Sequence, residues 1–462
     1  MDADQRSNRC LTSGDRGNYG RGLDTGQSPT LGSLQPISAI DLIGENMIKK
    51  RWRFAVALAA AASLLATGCS GSASESEGPV TLTYWDFLDP SQDNPRAKAL
   101  KENLANFEAA NPDIKVELAV VSLGDMLNRL PQAAAAGQAP DVFKMFTPQV
   151  PQMAAAGAYS PMPAAASEIT DWLRPIDTLA GPDGQVAVPY EYRTCAFYYN
   201  EKVLKQLGVE VPKTYDEVVT VAGKAAKAGV TGFGTGFSDA DNSAIIATFF
   251  DCFMSQVDQP IWNAEGKADF ATEKGIEFGN FLADLRDAGA LASSVTSDTY
   301  GTVADGLANG TVAMTVLGTE RVVTMASQNP DVKWTSLPTA STGDDTGATI
   351  GWTLGIGADS EHADAAWKFI EYMTGPKAAA VMATGGEVPT RAAAYDEAFF
   401  STPEAGTVNK IAEYVESNSE PHTYADNWIA VATGLSQAGQ DLYLNKKSGS
   451  DFITSAQDAA NK

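Results

Sequence analysis

Histidine is almost missing from this chain: 462 residues contain two, His362 and His422. Neither has another histidine or a cysteine at metal-ligand spacing, so no metal site or cofactor is expected. Cysteine is scarce as well, with Cys10, Cys69, Cys195 and Cys252 the four examples. The stretch "TGFGTGFSD" around Gly232 to Gly236 lacks both the GxGxxG spacing and a Walker lysine, and reads as a turn-rich segment. No GxSxG nucleophile elbow occurs. Bases are in deficit, 33 against 57 acids, for a formal net charge of −24. So acidic a surface argues against nucleic acid and against any approach to anionic lipid beyond a tether. Long apolar runs are lacking too: the longest, Phe54 to Ala66, is too short for a comfortable membrane span. No short-period repeat appears, which excludes solenoids and propellers.

What is present begins with that apolar run. Lys49, Lys50, Arg51 and Arg53 precede it and small residues follow it to Cys69, the three-part form of a secretory signal. The segment resembles a bacterial lipoprotein signal, in which the cysteine is lipidated and becomes the mature N-terminus. Leu65 stands one step further from Cys69 than that pattern prefers. The plainer alternative is a cleaved signal with an ordinary cysteine beside it. The expected layout is an upstream extension over 1–46, absent from the mature protein, a signal over 47–68, and a flexible Ser/Gly/Glu tether over 69–79. Loss of the first 68 residues removes 6 of the 57 acids and 8 of the 33 bases, leaving a net charge of −26. Cys195 and Cys252 then face an oxidising compartment, where they form either a disulfide or two buried thiols.

Past the tether the chain reads as α/β. Val80, Leu82 and Tyr84 alternate; Leu100, Leu104 and Phe107 follow at helical spacing; Ile114, Val116, Leu118 and Val120 alternate again. Strand, helix, strand is the unit of a parallel sheet. "APDVFKMF" adds a short strand. Thr214 and Glu217 have capping-box spacing at a helix start. Ala366, Phe369, Ile370 and Met373 share one face of a helix that Gly375 and Pro376 stop. A chain this long is too large for one ordinary core, and two domains are expected.

Candidate chemistry lies in aromatic residues beside polar ones at strand ends and in loops. A sugar offers a C–H face to stack on a ring and a belt of hydroxyls to pair with carboxylates, amides and guanidinium groups, so its site needs both. Trp85 with Asp86, Tyr190 with Glu191 and Arg193, Trp352 after Gly351, and Asn427 with Trp428 have that mixture. Trp367 falls near an apolar helix face, and Trp172 and Trp334 lie in apolar contexts; all three read as core. Carboxylate pairs suited to glycoside hydrolysis carry no signal in a chain so rich in acids.

Seven stretches occur in a telling order: "LTYWDF", "FEAANPDIKVE", "GQAPDVF", "VPYEYRTCAFYYNEKVLKQLGVEVPKTYDEV", "LANGTVAMTVLG", "LPTASTGDDTGATIGWTLGIGADSEHADAAWKFIEYMTGP" and "GGEVPTR". In that order the chain resembles family 1 extracellular solute-binding proteins, the maltose-binding-protein-like receptors of carbohydrate ATP-binding cassette (ABC) importers, over residues 80 to 445. The resemblance implies a two-lobed, type II periplasmic-binding-protein-like α/β fold, with hinge strands and a ligand cleft between the lobes. Residues 80–190 and 336–376 are expected in lobe 1, and 191–335 and 377–462 in lobe 2. It implies a monomeric, non-catalytic receptor for a mono- or oligosaccharide, delivering it to permease subunits from the outer face of the cell membrane, held there only by the lipid at Cys69.

Carried over by position, the resemblance lines the cleft with Trp85 and Asp86; Met145, Thr147 and Gln149; Tyr190, Glu191 and Arg193; Thr319 and Glu320; Gly351 and Trp352; Glu387 and Arg391; and Asn427 and Trp428. Trp428 is the expected stacking ring. Thr319 and Glu320 stand where the maltose receptor pattern has a tryptophan. Asp141 is expected to brace its loop. The alternatives are a receptor of the same fold for a phosphate ester, peptide or metal, with Arg193 and Arg391 pairing an anion, and an extracellular carbohydrate-active enzyme.

Overall fold

Apolar alternation produces the expected first strand, β1 (Val80–Asp86), and it buries Leu82 and Tyr84. Asn94 caps the following helix through the Ala97 amide, with Pro95 in the first turn; α1 (Pro95–Ala110) then buries Leu100 and Phe107. β2 (Ile114–Val120) returns parallel to β1, from Val80 opposite Ile114 to Asp86 opposite Val120. The computed structural model describes residues 79–462 apart from 175, 177–178, 183, 242, 249–251, 254–260, 341–345, 423 and 425–426. The expected extension, signal, tether and lipid-bearing Cys69 lie outside the described residues.

The chain continues through α2 (Leu123–Ala135), β3 (Val142–Phe146), α3 (Val150–Ala155), the short pair β4 (Ala180–Gly181) and β5 (Gly184–Gln185), and β6 (Ala187–Arg193). After β7 (Cys195–Asn200) come α4 (Glu201–Leu207), α5 (Tyr215–Lys227), β8 (Thr231–Gly234), α6 (Ser243–Thr248), α7 (Glu273–Asp287), α8 (Tyr300–Asn309) and β9 (Val312–Gly318). The last part holds α9 (Arg321–Gln328), β10 (Val332–Thr335), β11 (Gly347–Ile356), α10 (Ala363–Met373), α11 (Pro376–Ala383), α12 (Gly406–Ser417), β12 (Ser419–Pro421), α13 (Trp428–Leu444) and α14 (Gly449–Ala460).

Two sheets carry the two lobes. The first runs β12-β11-β3-β1-β2, with β6 also paired to β11; the second runs β10-β7-β9-β8. Phe107 and Tyr84 pack edge-on against Phe369 on one side of the first sheet. On its other side Met126, Leu130 and Met153 gather around Phe143 and Met145. The chain passes between sheets at Thr194. Because Arg193 still pairs with Ile350 of β11, β6 stays in the first sheet three residues beyond the expected change at 190. Past Pro376 the chain also stays with the first lobe, where Asn103 of α1 donates to the Ala378 carbonyl at 2.9 Å.

The turn-rich reading of "TGFGTGFSD" needs correction, since Thr231–Gly234 is β8, paired parallel with β9. Its glycines serve close packing. A Cβ on Gly232 would lie 2.2 Å from the Ala222 carbonyl oxygen, and one on Gly236 would lie 2.0 Å from that of Asp298. Cys195 and Cys252 are joined in a disulfide, with Cα atoms 5.5 Å apart. Among the described residues no helix is long and apolar enough to cross a membrane.

Candidate functional site

Strand alternation explains how a charge enters the interior. In β3, "VFKMF", Phe143 and Met145 face the core under α2 and α3, while Val142, Lys144 and Phe146 face the opposite side. Lys144 is therefore fully buried. Its Nζ lies 3.8 Å from Asp86 and 4.0 Å from Glu387. The rings of Tyr190, Phe87 and Trp352 surround it, with centroids at 4.4, 4.9 and 5.6 Å.

A bulge brings the next groups in. The pairing of β6 with β11 shifts between Trp352 and Thr353, where Glu191 and Pro189 are the successive partners and Tyr190 is the extra residue. Such a bulge re-aims side chains. Tyr190 and Glu191 both reach the cluster as a result. Arg193, two residues on, hydrogen-bonds Glu191 and lies 3.2 Å from Glu320, which follows β9 of the second sheet. Tyr300 at the start of α8 donates to Glu320 at 3.1 Å. Arg96, in the first turn of α1, binds Glu387 through Nε at 3.1 Å and Nη2 at 2.7 Å, and approaches Glu191 at 3.9 Å.

Asp86, Glu191, Glu320 and Glu387 thus alternate with Arg96, Lys144 and Arg193, each less than 10% exposed. Removing each ion from water costs several kcal/mol, roughly, and an apolar set of similar volume is often as stable or more so. Stability alone is a poor reason for such a cluster. Burial opposes ionisation of Glu387, but Lys144 and Arg96 outweigh it and hold the carboxyl below its usual value. Glu320 is likewise lowered, with Arg193 and Arg321 outweighing burial. Burial depresses the Lys144 amine against the pull of Asp86 and Glu387, and it pushes the Tyr190 phenol well up.

Much of the cluster's hydrogen-bonding capacity is unused among the described residues. Among the described residues the donors Lys144 Nζ, Tyr190 OH, Arg193 Nε, Arg321 Nε and Trp352 Nε1 make no hydrogen bond; nor do the acceptors Glu191 Oε2, Glu320 Oε2 and Glu387 Oε2. Trp352 stacks on Phe87 with centroids 4.2 Å apart and lies 5.3 Å from Phe146. The cluster can therefore offer both donors and acceptors beside a flat apolar wall. Among the described residues no group of His, Cys, Asp and Glu has metal-binding geometry.

The structure thus brings together Asp86, Tyr190, Glu191, Arg193, Glu320, Trp352 and Glu387 from the expected set, and Gln149 is buried in the turn after β3. Thr147 and Thr319 adjoin them in strand-bracing roles: Thr147 donates to the Gly351 carbonyl at 3.0 Å, and Thr319 exchanges hydrogen bonds with Thr194. Met145 points into the opposite core, as alternation requires. Trp85 packs toward that same core with the Arg129 guanidinium 5.0 Å from its ring. Arg391 is tied to Asp171 at 2.7 Å and lies over Trp172. Asn427 accepts a 2.7 Å bond from Trp262, and Trp428, 1% exposed, packs with Trp262 and Tyr424. Asp141 braces its loop by accepting from Thr83 and Ser360.

Arg96 and Lys144 were not among the expected residues. A lysine at an inward position of an otherwise apolar strand is the signal that could have found Lys144, since lysine is almost never fully buried unless paired. Arg96, in the first turn of a helix, offers no comparable signal.

The fold is that of the two-lobed, type II periplasmic binding proteins. The GacH receptor of Streptomyces glaucescens, solved unliganded and with acarbose, matches with a TM-score of 0.71 at 21% identity, over 83% of this chain and 98% of that one. Maltose-bound T. maritima MalE3 matches with a TM-score of 0.70 at 20% identity, over 82% and 99%. Residues 92–380, more than half of the chain, match the family model for bacterial extracellular solute-binding proteins, and the chain belongs to that family. The multiple sugar-binding protein of Streptococcus mutans is 26% identical over 350 residues, 68% of this chain and 76% of that protein. The putative ABC transporter periplasmic-binding protein YcjN of Escherichia coli is 24% identical over 313 residues, 66% and 71% respectively.

Proposed function

We propose that this protein is the sugar receptor of an ABC importer: it binds a mono- or oligosaccharide between its lobes without turnover and hands it to permease subunits. One observation carries the reading: among the described residues, a buried set of unused donors and unused acceptors lies beside Trp352 and Phe87. A hydroxyl both donates and accepts, so a polyol can meet both halves of that set, whereas a phosphate ester supplies acceptors in excess. Charge agrees. The four carboxylates already exceed the three cations among them, and Arg321, 3.6 Å from Glu320, only restores balance. An anion would enter without a spare positive charge. The sugar named in the Streptococcus mutans relative, and the acarbose and maltose named with GacH and MalE3, are of the same chemical class.

The reading includes a lipid at Cys69, holding the receptor at the outer face of the membrane. Mass spectrometry of the native protein is expected to find a diacylglyceryl group on Cys69. For the ligand, the melting temperature of the purified protein is to be followed against neutral sugars, phosphodiesters, short peptides and divalent metals, since a ligand selective for the native state raises it. The expected result is a rise with one sugar class and unchanged sugar after long incubation. Sugar consumption would move the assignment to an enzyme, and a rise with only phosphodiesters, peptides or metals would replace the ligand.

A further inference from the structure

We infer that the ligand is a neutral monosaccharide, one ring and no ionised substituent, rather than an oligosaccharide. The inference rests on the sugar-receptor reading and narrows it. Its first support is how closely the ions are knit. Asp86 to Lys144 is 3.8 Å, Lys144 to Glu387 4.0 Å, Glu387 to Arg96 2.7 Å, Arg96 to Glu191 3.9 Å and Arg193 to Glu320 3.2 Å. Unused hydrogen-bonding atoms on Lys144, Tyr190, Arg193, Glu191, Glu320 and Glu387 occur all along this chain of contacts. A single ring bearing about five hydroxyls has enough donors and acceptors to engage them from one position.

The second support is that the described residues show no continuing track. Several rings in a row need several apolar faces, and among the described residues the rings beside the ions, Trp352, Phe87, Phe146 and Tyr190, gather around Lys144 and one another. The side chains that could extend it are engaged elsewhere. Arg129 lies over Trp85, Asp171 holds Arg391, and Trp428 packs with Trp262 and Tyr424. Gln152 of α3 accepts a 3.4 Å bond from the Ile429 amide of α13, a direct contact between the lobes. The third support is charge: with the buried ions already compensated, a hexose phosphate or a hexuronate would add an unpaired negative charge in a desolvated site.

Calorimetric titration of the purified protein tests this with common aldoses and ketoses, their di- and trisaccharides, hexose 6-phosphates and hexuronates. One monosaccharide is expected to bind about 100-fold tighter than any oligosaccharide containing it and than its phosphate or uronate. In its deoxy series, loss of any of several hydroxyls is expected to weaken binding by about tenfold or more, since each leaves a buried polar group unmet. Lys144→Met is expected to weaken it by at least about 30-fold, and the deoxy series decides the matter if that variant does not fold. A di- or trisaccharide binding tighter than every monosaccharide, a preferred phosphate or uronate, or a flat deoxy series would overturn the inference and leave the sugar receptor standing. No binding by any sugar would overturn both.

Discussion

Glu387 lies 2.7 Å from Arg96 and 4.0 Å from Lys144 with 2% of its surface exposed, so it is counter-charge to two buried cations at once. Glu387→Gln keeps the volume and removes the charge. Breaking a buried pair from one side costs about 3–5 kcal/mol, because the partner is left in a low dielectric without compensation. Urea denaturation of the variant is expected to show a loss of that size; a loss below about 1 kcal/mol would mean that the cations are solvated or re-paired. Legibility at this scale was uneven. Glu387 and Glu191 could be named from a family pattern, yet Arg96, which holds the first and approaches the second, could not. Their separation of 291 residues, from Arg96 to Glu387, has no local trace. Trp428 was named for its type, which fits a stacking ring, and the structure packs it with Trp262 and Tyr424.

Between elements, the pairing of β6 with β11 decides where the site groups point. A Cβ on Gly351 would sit 1.9 Å from the Glu191 carbonyl oxygen, a backbone atom that cannot swing aside. Gly351→Ala must therefore push β6 away from β11 beside the bulge that aims Tyr190 and Glu191. The expected cost is about 1–3 kcal/mol of stability, together with a loss of ligand affinity larger than that stability change alone would produce in a folded variant. Calorimetry alongside urea denaturation checks both. Affinity within threefold of the parent would show that the bulge does not set the geometry of binding. The strands themselves were legible from alternation, as in Val80, Leu82 and Tyr84, and α10 from its spacing and its Gly-Pro stop. The bulge was not, because one extra residue in β6 is defined only against the register of β11, some 160 residues away. Nor was β8, whose four residues contain two glycines, Gly232 against Ala222 of α5 and Gly234 against Val303 of α8 and Val312 of β9.

For the whole molecule, opposing groups set the pH range of stability. Glu320 and Glu387 have folded-state values below the ordinary glutamate value of 4.5. The stability they contribute is present above 4.5 and is lost as pH falls from there through their folded values. Burial depresses Lys144, so the unfolded chain binds its proton more readily, and its share of stability rises with pH up to the ordinary lysine value of 10.5. Tyr84, Tyr190 and Tyr215 are buried and pushed well above 10.0; their contribution is complete below 10.0 and disappears as pH climbs beyond it. The net charge of −24 adds a dispersed repulsion that eases as pH falls toward the isoelectric point near 4.4. That relief works against the carboxylate effect only above the isoelectric point; below it the chain becomes positive and both terms destabilise. The melting temperature is therefore expected to stay nearly level from about pH 5 to 9, fall steeply below 4.5 and fall again above 10. Differential scanning calorimetry across pH 3 to 11 checks this, with Glu387→Gln expected to show a shallower acid limb than the parent. An acid limb equally steep in the variant would assign acid unfolding to the surface charge instead of the buried cluster.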